Sequence, residues 1–171
     1  MLAQNDILKL FDQLNQELAV LAIKGELYVV GGAVMCLVFK ARPSTHNVDA
    51  YFEPAKKMRE AAHRVALRMD APQDWLNDGV KAYLSRHGSF HSFLELTHLK
   101  IFTANADYLL AMKCLAMRIG EEFHDLDDVR YLLKYLNIET YKKALETISQ
   151  FYPAEAFPQK TLYVLEELLR V

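Results

Sequence analysis

Apolar positions along the first twenty-odd residues fall at Ile7, Leu8, Leu10, Phe11, Leu14, Leu18 and Leu21. This spacing of three and four predicts an amphipathic helix from about Asn5 to Lys24 with one face turned to a core. Gly25 is expected to end it. Leu27 to Val30 is a short, continuously apolar run and reads as a strand buried on both faces. Gly31-Gly32 then turns the chain into a helical stretch reaching Lys40, and Pro43 closes it. Val48 to Phe52 predicts a second strand, stopped by Pro54, which suits the first turn of a helix running to about Met69. The segment APQDWLNDGVKAYL reads as a loop followed by a short helix. Phe93 to Leu96 and Leu99 to Thr103 carry strand patterns. Beyond Asn105, itself a candidate helix cap, every apolar period is helical: one helix over ADYLLAMKCLAMR, one starting near Asp125, and two more separated by Pro153 and Pro158.

Strands mixed with helices in the first part and helices alone in the second predict an α+β protein, a small mixed sheet with flanking helices and a helical C-terminal half. The expected division is an α/β core over 1–104 and a helical extension over 105–171 packed on it. A chain of 171 residues, 52% apolar and 25% charged, can bury one good core. A net charge of -2 gives no global argument for nucleic-acid binding. Lys56, Lys57, Arg59, Arg64 and Arg68 do crowd one helix, as either a solvated face or a track for an RNA backbone. Cys36 and Cys114 both sit in apolar helical contexts without zinc-ligand spacing, so they read as buried thiols. The N-terminus lacks a signal-peptide apolar region, and charges interrupt every apolar run. The expectation is a cytoplasmic protein with no membrane partner.

The candidate chemistry lies in LYVVGGAVMCLVFKARPSTHNVDAYF. A glycine pair between strand and helix is usually only a tight turn, but it can also let backbone amides face a phosphate. Asn47 and Asp49, two apart on a strand-like run, would share a face. Asp49 offers a carboxylate to a divalent ion, whereas Asn47 offers only a neutral carbonyl oxygen. Arg42, Ser44 and Thr45 just before them are phosphate-contact or turn-capping candidates.

Glycine pair, helix, then R-P-S-T and an acid on a strand resembles the minimal nucleotidyltransferase superfamily, in particular its prokaryotic branch of AbiEii-type toxins of toxin–antitoxin pairs. LLAMKCLAMR followed by HDLDDV strengthens the likeness. The resemblance implies transfer of a nucleoside monophosphate from an NTP, such as ATP, to a hydroxyl of RNA (tRNA among them) or protein, with Mg2+ or Mn2+ and a cognate antitoxin as partner. It implies that Asp49 and the residue at 47 hold metal, with Glu95 as a third oxygen ligand. It further implies that Gly31, Gly32, Arg42, Ser44, Thr45 and Lys113 hold phosphates, and that Asp125 completes the pocket. Lys113 reads independently as a lone cation in an apolar helix that must snorkel out or meet an anion. Asp125 and Asp128 read equally as first-turn acids favoured by a helix dipole. The departure from the family is Asn47 where the first aspartate is expected, which leaves two readings: a nucleotidyltransferase silenced or altered at that position, or a non-catalytic module that binds a nucleotide or a partner.

Overall fold

The computed structural model describes residues 1–120 and 123–170. It is an α+β protein with a small mixed sheet and a helical C-terminal half. Two compact units divide it: Met1–Ala82 with Phe90–Ala104, and Tyr83–Ser89 with Asn105–Val171.

In the first unit, β1 (Leu2–Ala3) leads into α1 (Gln4–Val20). The Asp6 carboxylate accepts the Ala3 amide at 2.9 Å, satisfying one donor at the helix start. The helix ends earlier than its apolar period suggests, in a turn with Ala22 at a φ of 55°. Gly25 does not cap it; it opens β2 (Gly25–Val30). There a Cβ would lie 2.4 Å from the Met58 sulfur, so a larger residue would have to displace the Met58 side chain. After β2 come α2 (Gly32–Leu37), β3 (Ser44–Thr45), β4 (Val48–Glu53), α3 (Ala55–Met69), β5 (Leu76–Asn77), a 3-10 turn over Gly79–Tyr83, β6 (Phe90–Glu95) and β7 (Leu99–Ala104).

The main sheet runs β5-β4-β2-β7-β6. β2 is antiparallel to β4 and parallel to β7, so the sheet is mixed at its centre. The alternation along β2 corrects the expectation of a strand buried on both faces. Leu27 and Val29 are fully buried, but Glu26 and Tyr28 are half-buried. Leu27, Val29, Ala50, Phe52 and Ile101 form the core side with α1 residues Ile7, Phe11, Leu14 and Leu18 and α3 residues Met58 and Val65. Each of the larger side chains among these contributes roughly 1.5–3 kcal/mol when removed from water. Trp75 is fully buried among them, its indole N–H donating to the Ala62 carbonyl at 3.0 Å.

α1 and α3 are further tied by Glu17, buried, which takes ion pairs from Arg64 at 3.3 Å and from Arg68. Burial alone would raise the Glu17 carboxyl; the two guanidinium groups outweigh it and hold it below the usual range. Arg59 pairs with Asp78 at 2.7 Å. With Lys57 3.9 Å from Glu60, four of the five basic residues that could form a solvated face or an RNA track are thus engaged by carboxylates of their own unit.

The second unit packs α4 (Ala106–Leu115) against α5 (Asp125–Tyr135) and α6 (Tyr141–Ile148), with α7 (Gln159–Leu168) on α6. Asn105 occupies the cap position of α4, but its side chain makes no cap hydrogen bond. The fully buried Tyr108 ring lies 5.2 Å from Phe151 and accepts the Ser85 amide on its hydroxyl at 3.0 Å. Gly88 lies so close to that ring that a Cβ would meet it at 2.6 Å. These contacts explain why Tyr83–Ser89 belongs to the second unit although it precedes β6 in the chain. Among the described residues no helix is long and apolar enough to cross a membrane.

Candidate functional site

The glycine corner is built by conformation as well as by composition. Gly31 has φ 68° and ψ -151°, a region that only glycine occupies without strain. It turns the chain from the end of β2 into α2, which is six residues long and stops well before Lys40. A Cβ on Gly31 would sit 3.3 Å from Oδ2 of Asp49. A Cβ on Gly32 would sit 2.6 Å from Nη1 of Arg42 and 2.8 Å from Oγ1 of Thr45. The absence of side chains at 31 and 32 is therefore what leaves room for a guanidinium, a hydroxyl and a carboxylate beside the same two residues. The Arg42 charge also reaches the Cys36 thiol, where it opposes the burial that pushes the thiol up.

Two elements deliver these groups. β4 pairs Asp49 with Val30, the residue before the glycines. β3 carries Thr45 and pairs with β1, Leu2 opposite Thr45 and Ala3 opposite Ser44. Thr45 is buried, and its hydroxyl donates to the Asn47 carbonyl at 3.3 Å. On the far side of Asp49, β5 places Asn77 in register, a neighbour not singled out from sequence. The Asn77 carboxamide oxygen accepts the Gly79 amide at 2.7 Å, a turn contact that Asn-Asp-Gly announces.

Asn47 needs correction. It lies one residue before β4, outside the strand, so strand alternation does not set its side chain beside that of Asp49. Glu95 also needs correction. The register runs Glu53, Glu26, Lys100, Glu95 across one end of the sheet, while Asp49 pairs with Val30 at the other. Four residues of strand and three strand spacings put Glu95 roughly 20 Å from Asp49. It is 68% exposed and paired with Lys100 at 3.7 Å, so it is not a third ligand there.

No protein-family model, curated protein or solved structure matches this chain.

Lys113, Asp125 and Asp128 are brought together in the second unit. The Lys113 ammonium lies 3.1 Å from Oδ1 of Asp125 and 2.8 Å from Oδ2 of Asp128, with all three side chains at 9% exposure or less. The other oxygen of Asp125 accepts both the backbone N–H and the Nε–H of Arg118 at 3.0 Å. Arg118 in turn lies over the Phe123 ring, 4.6 Å from its centroid. Burial alone would raise the Asp125 carboxyl, but the Arg118 bonds and the Lys113 charge hold it below its ordinary value. The anion that Lys113 meets within its unit is thus a pair of carboxylates rather than a phosphate.

Among the described residues no three His, Cys, Asp or Glu side chains gather into a metal-holding group. Asp49 by itself suits Mg2+ that arrives on phosphate oxygens, which commonly takes only one or two protein carboxylates. It does not suit two ions held by protein alone. A cleft of the first unit, about 780 Å³, lies elsewhere, at the end of the sheet lined by Glu26, Glu53, Lys100 and His98.

Proposed function

We propose that this chain is a nucleotidyltransferase-like protein that holds the phosphates of an NTP at the Gly31–Gly32 corner. The single observation that supports the reading is the convergence of Arg42, Thr45 and Asp49 on those two glycines. A guanidinium and a hydroxyl beside bare backbone can bind phosphate oxygens, and a carboxylate alongside can receive their cation. Bound Mg2+ would supply charge neutralisation at the phosphates. The chain's own part is to orient them so that a hydroxyl oxygen, from RNA or a protein, attacks the α-phosphorus as the bond to pyrophosphate breaks. The setting proposed is a toxin–antitoxin or defence pair.

Asn47 favours a second reading, a pseudoenzyme that binds a nucleotide or partner without turning it over. Where the resemblance expects the first of two carboxylates, the chain carries a neutral amide. Calorimetry of ATP and CTP with and without Mg2+ tests the first reading, which requires Mg2+-dependent binding. Asn47→Asp should then raise label incorporation from α-labelled NTPs into tRNA, bulk RNA or a partner protein. Binding indifferent to Mg2+, with no gain from Asn47→Asp, selects the pseudoenzyme. No nucleotide binding at all removes both nucleotide readings.

A further inference from the structure

The loop that carries Arg42 and Thr45 to the corner packs on α2 through β3 and holds little regular structure of its own. From Val38 to Asn47 the one stretch of regular structure is the two-residue β3. Lys40 turns through a φ of 53°, and the Ala41 amide returns to the Met35 carbonyl at 2.9 Å. The ladder partner of β3 is not a neighbour in sequence but the pair Leu2–Ala3. That pair is anchored on its other side: Leu2 is buried, the Asp6 carboxylate holds the Ala3 amide, and α1 follows without a break into the core through Ile7, Leu10 and Phe11. A rigid helix is thereby coupled, through two residues, to the segment bearing the polar groups of the corner.

We propose that the Leu2–Ala3 strand is a strap that positions Arg42 and Thr45 against Gly32, so that phosphate binding is set from the N-terminal segment. The inference rests on the nucleotide reading for its consequence, but not for its geometry. Leu2 and Ala3 act through β3 and do not touch a ligand; they are positioning residues. If removing the strap leaves the loop in its binding-competent arrangement about a tenth of the time, apparent affinity falls about tenfold, because only that fraction can bind.

The test uses the full chain, the chain lacking residues 1–3, and Leu2→Ser, which keeps the backbone and removes the buried anchor. Hydrogen exchange reports the loop directly, and calorimetry with Mg2+–ATP reports the consequence. In the full chain, peptides covering Ser44–Thr45 should exchange at least tenfold more slowly than an unstructured chain. Both variants should abolish that difference and weaken Mg2+–ATP about tenfold, while exchange in β2 and β7 stays slow. Fast exchange at Ser44–Thr45 in the full chain, or slow exchange there in both variants, overturns the strap. Loss of loop protection with unchanged affinity overturns its role in binding. A full chain with slow exchange at Ser44–Thr45 and no affinity for ATP defeats the nucleotide reading and leaves the strap standing.

Discussion

Replacing Lys113 with methionine keeps the aliphatic stem in α4 and removes only the ammonium. Two carboxylates then share a buried place without the cation between them, since Asp125 is 5% and Asp128 is 2% exposed at the side chain. Breaking a buried ion pair from one side costs about 3–5 kcal/mol, mostly the cost of leaving charge behind in a poor solvent. Arg118 still covers one oxygen of Asp125, so the lower end, about 3 kcal/mol at pH 7, is the expected loss. With a urea slope of about 2 kcal/mol/M, this moves the unfolding midpoint of α4 and α5 by about 1.5 M.

The sign of the pH dependence follows from the same groups. In the native protein the Asp125 carboxyl is held low, so its stabilisation is present above the ordinary pKa and is lost as pH falls through the lowered one. In the variant the Lys113 charge no longer lowers the Asp125 carboxyl, which rises toward its ordinary value, so the stabilisation it gives above that value is smaller from the start. The gap between the two proteins should therefore shrink from pH 7 toward pH 4. Urea unfolding followed by far-UV circular dichroism at several pH values measures it, and hydrogen exchange assigns it to α4 and α5. Adding Asp128→Asn should restore part of the loss. A gap under about 1 kcal/mol at pH 7, or one that does not change with pH, refutes the account of this cluster as a buried ion-pair network.

Other outcomes follow from the same geometry. Gly31→Ala should cost about 1–3 kcal/mol, because φ 68° with ψ -151° is strained for any side chain, and should abolish Mg2+–ATP binding; thermal melts and calorimetry check the two parts. Gly88→Ala drives a methyl into the Tyr108 ring at 2.6 Å and should cost about 1–3 kcal/mol in thermal or urea unfolding, with no effect on nucleotide affinity beyond that. Glu95→Gln should leave stability within about 0.5 kcal/mol and the Mg2+ dependence of ATP binding unchanged, because the side chain is exposed at the other end of the sheet; a measured loss of metal dependence would contradict the strand register.

Much of the fold was legible because period and punctuation are local. The spacing of Ile7, Phe11 and Leu14, the alternation through Val48, Ala50 and Phe52, and the prolines at 54, 153 and 158 each act within a few residues. What escaped were the short elements, β1, β3 and β5, which are strands only because a distant segment offers them a ladder. The two faces of β2 were misjudged for the same reason. A run of apolar letters does not tell that Tyr28 will bond Glu26 and stack on Phe102, 4.9 Å away at 11°.

At the site, residue types and chain order determined that glycines, an arginine, a threonine and an acid would stand near one another, since all lie within twenty residues of a strand, a turn and a returning strand. Only the tertiary structure decided which groups share space. Antiparallel register set Asp49 against Val30 and sent Glu95 to the opposite end. Helix packing joined Lys113 to Asp125 and Asp128, twelve and fifteen positions on, and N-terminal pairing fastened the loop at Thr45. Local conformation is encoded over a few residues by sterics and turn chemistry. The meeting of distant charges depends on register and burial, which exist only once the whole chain has closed on its core.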